Sequence, residues 1–203
     1  RVMGHEIMNS ITPIISLSET LSTREVEYSR MQQGMQVIHK RSKGLLEFVE
    51  NYRRITRIPT PVKEKVRLSE LFNGIAELLP EDSISFTTPV PDISIRIDRT
   101  QIEQVLINLI KNALEACSDI PSPQIQVKSS VSETGTVSIT VSDNGPGILP
   151  NVLDKIFIPF FSTKENGSGI GLSLCKQIMH LHSGNITARS TPEQGSQFTL
   201  FFN

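Results

Sequence analysis

Apolar residues in the first quarter of the chain repeat with the period of a helix. Between residues 5 and 21 they fall on one side of a helix turning about 100° per residue, at Ile7, Ile11, Ile14 and Leu21. From about residue 25 to 55 they recur in a heptad, at Met31, Ile38, Leu45 and Tyr52, with a partner set at Met35, Ser42 and Val49. One hairpin of two such helices leaves its seam uncovered. We therefore expect two chains to combine into a dimeric four-helix bundle.

Prolines interrupt the helical pattern after the second helix. Pro59 and Pro61 lie in a stretch without periodicity, which is typical of a linker. We therefore predict a helical hairpin over residues 1–58, a linker over 59–66 and a second domain over 67–203.

The rest of the chain alternates between helical and strand patterns. Helices are predicted over residues 69–79, 100–117 and 171–182. Strands are predicted over 84–87, 93–97, 124–131 and 136–142, and a final hairpin joins 185–190 to 197–202. Strands mixed with helices packed on one side indicate a two-layer α/β sandwich. The whole chain is therefore assigned to the α+β class.

Composition and charge narrow the possible partners. A net charge of −1 without a long basic run gives no reason to expect nucleic acid or direct membrane contact. Cys117 and Cys175 lie in apolar helical patterns, so reduced core thiols are expected rather than a disulfide. No apolar run reaches the roughly eighteen residues that a membrane span needs. The chain begins inside a predicted helix, so we expect it to be part of a longer protein.

A strand that ends in a carboxylate is the first candidate for chemistry. Residues 136–142 alternate between apolar and hydroxyl side chains, and Asp143 is followed by Asn-Gly-Pro-Gly. The carboxylate, with the backbone of Gly145 and Gly147, can present one acceptor and an open surface to a flat ligand. The alternative is an ordinary acidic turn after a strand.

Two asparagines form the second candidate. Asn108, Asn112 and Glu115 lie along one edge of the apolar face of the predicted helix 100–117. There they could reach a metal ion and phosphate oxygens. The alternative is that they are ordinary solvated polar residues.

A glycine-rich run before the last helix is the third candidate. Gly167, Gly169 and Gly171 precede a helix whose free amides and dipole favour an anion such as phosphate. The preceding segment carries several aromatic residues and Lys164 between glycine-rich ends, which suits a mobile lid. The alternative is a surface loop that is packed permanently.

Together these motifs resemble a known family. Their order is Asn-x-x-x-Asn-Ala (108–113), Asp-x-Gly-x-Gly (143–147), Phe-x-Pro-Phe-Phe (157–161) and Gly-x-Gly-x-Gly (167–171). This order closely resembles the catalytic domain of sensor histidine kinases. His-Glu-x-x-Asn (5–9), ahead of a heptad hairpin, resembles the dimerisation and histidine-phosphotransfer region of that family. The resemblance spans nearly the whole chain, and it implies an ATP-binding sandwich shared with heat-shock chaperone and mismatch-repair ATPases.

The resemblance implies ATP and Mg²⁺ as cofactors and gives the site residues their roles. Asp143 accepts the adenine amino group, and Asn112 holds Mg²⁺. The remaining residues expected around the nucleotide are Asn108, Gly145, Gly147, Lys164, Gly167, Gly169, Gly171 and Thr199. Of these, Thr199 is expected near the adenine edge and Lys164 near the phosphates.

The first helix supplies the phosphate acceptor in this family. The resemblance makes His5 the phosphoacceptor, Glu6 the base that takes its proton, and Asn9 the residue that orients water for dephosphorylating a regulator. A lone exposed histidine would otherwise be inert. The implied partners are a second copy of the chain and a response regulator receiver domain. We expect this fragment to be cytoplasmic. A membrane-anchored parent protein is compatible with this expectation.

The chain departs from the family pattern at two positions. Glu115 stands where many members have a basic residue, and Pro13 lies eight residues after His5 rather than five. Two alternatives remain. One is an ATPase clamp or chaperone without phosphotransfer, and the other is a dimeric scaffold with a degenerate nucleotide site. Phosphorylation of His5 distinguishes both from a kinase.

Overall fold

The chain folds into two compact units, residues 1–57 and 58–203. The computed structural model describes residues 2–23, 27–89, 92–164 and 167–202, without the side chains of residues 2–6 and 23. Within these residues, no helix has both the length and the apolar character needed to cross a membrane.

The first unit is an antiparallel pair of helices, α1 (Val2–Thr23) and α2 (Tyr28–Thr56). The predicted apolar stripe of α1 is half-buried, whereas Asn9 and Thr12 are exposed, as the helical period requires. Gly34 is a buried contact point on α2, because a Cβ there would lie 3.0 Å from Leu21 of α1. The helix α1 continues through Pro13.

Much of the predicted heptad seam is uncovered in a single chain. Ile38 and Leu45 are half-buried, but Met35 is 60% exposed and Val49 is 40% exposed. The hairpin therefore has an unpaired apolar side, and the four-helix bundle remains a prediction.

The second unit is built on a five-stranded mixed sheet. Its strands are β2 (Ile84–Thr87), β4 (Ile125–Val131), β5 (Val137–Asp143), β6 (Asn185–Ser190) and β7 (Ser196–Phe202), in the order β2-β4-β5-β7-β6. Only the pair β2–β4 is parallel among these. The central strand β5 ends at Asp143, whose register partners are Ile125 and Ser196.

Helices cover one face of this sheet and leave the other open. The helices are α3 (Leu68–Leu78), α4 (Arg99–Ala116) and α6 (Gly171–Leu181), with a short α5 (Pro150–Leu153). Alternate strand residues enter the core with them, among them Ile125, Val127, Ile139, Val141, Phe198 and Leu200. The outward positions are mainly hydroxyl, amide and charged side chains. This is the predicted two-layer α/β sandwich.

The structure differs from the sequence prediction at the start of this unit. Residues 64–66, expected in the linker, belong to β1 (Glu64–Arg67), which pairs antiparallel with β3 (Ser94–Ile97). Val66 and Ile95 join the core, and this burial explains why the short strand forms. The limits of the functional domains remain a prediction.

Candidate functional site

A cleft of about 780 Å³ opens beside the sheet in the second unit. Its walls are the edge of α4, the end of β5 with the following turn, the start of β7, and the segment that leads into α6. The fold brings most of the predicted site residues to this cleft, namely Asn108, Asn112, Asp143, Gly147, Lys164, Gly167, Gly169 and Gly171.

Asp143 is held by two backbone amides at the end of β5. Gly145 N–H and Ser196 N–H both donate to its Oδ1, at 2.9 and 3.2 Å. Burial raises the pKa of this carboxyl, and the two amide bonds act against that rise. Among the described residues no donor binds Oδ2. The fixed carboxylate can therefore accept a hydrogen bond from a ligand amino group.

The turn after β5 needs glycine because another segment lies against it. Gly147 has a φ of 73°, and a Cβ there would lie 2.3 Å from the carbonyl oxygen of Thr191. The next amide, Ile148 N–H, donates to Ser190 Oγ at 2.8 Å. Backbone thus forms the cleft wall beside Asp143. Gly145 is buried and does not line the cleft, and it contributes through its bond to Asp143.

The two asparagines of α4 have different surroundings. Asn108 Nδ2 donates to Cys175 Sγ at 3.3 Å, and burial raises the pKa of this thiol to about 12. Gly171 lies so close that a Cβ there would be 2.4 Å from Asn108 Oδ1. Asn112, one turn on, is half-buried and makes no side-chain hydrogen bond to the described residues. Asn108 is thus fixed by α6, and Asn112 is available to a ligand.

Asn112 is suited to a hard cation. Mg²⁺ prefers oxygen ligands and is held in nucleotide sites by few protein groups together with phosphates and water. The amide oxygen of Asn112 can supply one such ligand. No cluster of three or more His, Cys, Asp or Glu side chains that could hold a metal occurs among the described residues. The single amide oxygen of Asn112 fits a metal ion whose other ligands are phosphate oxygens and water.

The start of α6 provides free amide groups. Gly171 is its first residue, and no side chain caps this helix end. Gly171 and Leu172 line the cleft, so the first amides of the helix can bind an anion there.

The segment between α5 and α6 closes the cleft on one side. At its base, Phe160 N–H donates to Gly169 O at 2.9 Å, and Ile156 is 8% exposed within the core. The expected mobile lid therefore has a packed base. Its outer part carries Lys164, whose ammonium group forms an ion pair with Glu115 of α4.

One expected site residue lies away from the cleft. Thr199 is on the outer face of the sheet, where its Oγ1 is 3.2 Å from Thr140 Oγ1. Strand residues alternate between faces, so the cleft instead receives Ser196 and Phe198 of β7. The alternation visible in the sequence of β7 was the signal that could have identified these two residues.

The three predicted residues of the hairpin belong to the other unit. His5 and Glu6 lie in α1, but their side chains are outside the described part. Asn9 is exposed on the same helix.

Comparisons with known proteins agree with this geometry. Residues 97–203 match the family described as histidine kinase-, DNA gyrase B-, and HSP90-like ATPase. The sensor histidine kinase ZraS of Escherichia coli K12 is 32% identical over 98% of this chain and 43% of its own length. The chain thus spans less than half the length of the curated relatives it matches.

Solved structures of histidine kinases share the fold. The nucleotide-free catalytic domain of ThkA has a TM-score of 0.61 and 35% identity, over 69% of this chain and 94% of its own. ThkA in complex with the response regulator TrrA has a TM-score of 0.66 and 28% identity, over 98% of this chain and 59% of the ThkA chain. The chain therefore belongs to the histidine kinase-, DNA gyrase B-, and HSP90-like ATPase family, and its relatives in that family are sensor histidine kinases.

Proposed function

We propose that this chain is the catalytic core of a histidine kinase, which transfers the γ-phosphoryl group of ATP to His5. The observation that carries the proposal is the cleft itself. It combines a fixed carboxylate with a free Oδ2, a free asparagine amide and an uncapped helix start. These groups suit the base, the metal and the phosphates of one nucleotide, respectively.

In this proposal Asp143 accepts a hydrogen bond from the adenine amino group, beside the backbone of Gly147. Asn112 holds Mg²⁺, which neutralises phosphate charge, while Asn108 supports the same edge of α4. The amides at Gly169 and Gly171 and the ammonium of Lys164 face the phosphates. Binding of this kind positions the γ-phosphorus and stabilises the charge that develops on it.

The chemical step is a phosphoryl transfer between two nucleophiles. A neutral His5 ring nitrogen attacks the γ-phosphorus, so an N–P bond forms while the bond to the bridging oxygen breaks and ADP leaves. Glu6 takes the proton from the other ring nitrogen. The phosphoryl group then passes to an aspartate of a response regulator, the kind of partner that accompanies ThkA in its complex.

The hairpin is proposed to act as a homodimer. Four exposed apolar residues lie within about 60° of one another on α2, at Met31, Met35, Leu46 and Val49. We call these four the exposed stripe. Pairing it with a second copy would remove apolar area from water, which is the main driving force for such bundles.

Phosphate incorporation from γ-labelled ATP tests the proposal. With Mg²⁺ the protein should acquire a label that is stable in base and lost in acid, and H5Q should acquire none. An ATPase clamp would hydrolyse ATP without retaining label. Label that persists in H5Q would place the acceptor elsewhere and contradict the assignment.

A second variant separates the two activities of the first helix. N9A should autophosphorylate nearly as the parent does, because Asn9 is not a proton acceptor and lies one turn from His5. It should dephosphorylate a phosphorylated receiver domain more slowly, because water placement needs a polar group there. Loss of autophosphorylation in N9A would contradict this division of roles.

A further inference from the structure

The charges that line the cleft are unevenly distributed. Among the described lining residues the charged side chains are Asp143, Glu115 and Lys164, two carboxylates and one ammonium. Glu115 lies one helical turn beyond Asn112 on the cleft edge of α4, and its Oε2 is bound to Lys164 Nζ. The cation best placed for phosphates is therefore already paired with a protein carboxylate.

The backbone of Lys164 is held in place by its own turn. Ser162 Oγ accepts from Lys164 N–H at 3.0 Å and donates to Lys164 O at 3.2 Å. Gly167 N–H donates to the same carbonyl at 3.2 Å. With the backbone fixed in this way, the long side chain can exchange one anionic partner for another while its base stays in place.

The ion pair is exposed enough to be replaced. The Lys164 side chain is 48% exposed and that of Glu115 is 61% exposed, and pairs in such positions contribute little stability because water and salt screen them. A polyphosphate bound along α4 carries several charges and would compete for the same ammonium. Glu115 would then be left beside the phosphates without its partner.

We propose that Glu115 is a positioning residue that holds Lys164 in the empty cleft and releases it to the phosphates when the nucleotide binds. This inference rests on the proposed ATP site and adds a competing anion to it. Before binding, the pair holds the Lys164 ammonium group against α4. After binding, the unpaired carboxylate opposes the phosphates, so Glu115 weakens nucleotide affinity.

Two variants and two measurements test this exchange. In nucleotide-free protein, E115Q and K164Q should leave amide hydrogen exchange in residues 161–164 close to that of the parent, because the turn at Ser162, and not the exposed ion pair, holds this backbone. ATP affinity measured by calorimetry should move in opposite directions. E115Q should bind roughly threefold to tenfold tighter and K164Q weaker by a similar factor, the size expected for a partly screened charge.

The matched control is E133Q, which makes the same chemical change at an exposed turn outside the cleft. It should alter neither measurement. Raising the salt concentration should reduce the affinity gained in E115Q, because screening weakens the repulsion between the Glu115 carboxylate of the parent and the phosphates.

Each outcome decides the inference. Affinity changes of the same sign in E115Q and K164Q would mean that the pair is merely structural, and an unchanged affinity in E115Q would also overturn the exchange. If the wild-type protein binds ATP through Asp143 but E115Q is neutral, the exchange fails and the proposed function stands. If the wild-type protein binds no ATP, both fail.

Discussion

Asp143 illustrates how a fold prepares one side chain for a ligand. Its carboxyl is half-buried, and burial raises its pKa, but Gly145 and Ser196 donate two amide bonds to a single oxygen. These bonds fix the orientation of the carboxylate and leave the second oxygen for a ligand. The sequence predicted the residue from a strand followed by glycines, but the donor from β7 depends on a pairing 53 residues away.

Thr199 shows that a resemblance in sequence is not enough to decide which face of a strand a residue occupies. It was placed near the adenine edge by resemblance alone, and the register Thr140↔Thr199 puts both hydroxyls on the outer face. A one-residue difference in a strand exchanges the two faces of the sheet. Ser196 and Phe198 are the residues of β7 that reach the cleft.

Asn112 gives a prediction for metal dependence. N112A should abolish autophosphorylation with Mg²⁺, because it removes the free amide oxygen on the cleft edge. Its folding should be nearly unchanged, since the side chain makes no hydrogen bond to the described residues. Thermal unfolding and label incorporation measure the two effects.

The control for this experiment is Q104A, an exposed amide on the same helix. It should retain full labelling. A rate for N112A equal to that of the parent would show that this helix edge does not serve the metal.

Long periodic elements were predicted well, and two short elements were missed. The helix α4 is predicted at residues 100–117 and lies at Arg99–Ala116. The prediction succeeds because the apolar face of this helix repeats over five turns. The strand β1 has a single apolar residue, Val66, and the helix α5 has only four residues, so neither shows a period. Their formation depends on partners distant in sequence, such as the pairing of β1 with β3.

A buried histidine joins three elements of the second unit. Asp98, the N-cap of α4, donates its N–H to His182 Nε2 at 3.0 Å, and its Oδ2 accepts from Val62 N–H at 2.9 Å. The other ring nitrogen of His182 lies 2.9 Å from Ile178 O. Because Nε2 accepts a bond, the neutral ring protonated on Nδ1 fits this site. Burial lowers the pKa of His182, and the charge of Lys63 acts in the same direction, while the Ile178 carbonyl and the charge of Asp98 act against this shift.

This arrangement predicts how stability depends on pH. The folded pKa is below the ordinary value of 6.5, so the unfolded chain binds the proton more readily as the pH falls through 6.5. The contribution of His182 to the free energy of unfolding is therefore complete above pH 6.5 and is lost as the pH falls below it. Denaturant unfolding of the parent and H182Q between pH 5 and 8 measures it.

H182Q should be less stable by about 1–3 kcal/mol at pH 8, the range for a lost buried hydrogen bond. The difference should shrink in acid, where the parent loses its advantage. A difference between the two proteins that is constant over this pH range would contradict the neutral buried ring.

The order of motifs along the whole chain was more informative than any single motif. Each asparagine, glycine run or acidic turn had an ordinary alternative, but the order of the motifs identified the resemblance to histidine kinases. The family match and the relatives confirm this resemblance. Assembly was the part that one chain could not reveal. The exposed stripe on α2 is uncovered in one chain, and the heptad favours a second copy as its partner.

The predicted homodimer is tested by introducing a charged residue into the exposed stripe. V49E should weaken dimerisation at least tenfold in analytical ultracentrifugation, because it places a carboxylate in an apolar seam. K40E, an exposed change on the opposite side of α2, should have little effect. Equal dimerisation of the parent and V49E would exclude this face as the interface.

The central claim is that the cleft binds ATP through Asp143, and calorimetric titration of D143N with ATP tests it most directly. The asparagine can keep its oxygen towards the two amides, which turns an NH₂ group towards the adenine amino group. Affinity for ATP should fall by about 1.5–3 kcal/mol, roughly tenfold to 150-fold. The affinity for GTP, which presents a carbonyl group at this position, should fall less in D143N. T199V, on the outer face, should bind ATP as the parent does. A folded D143N protein with unchanged ATP affinity would contradict the account.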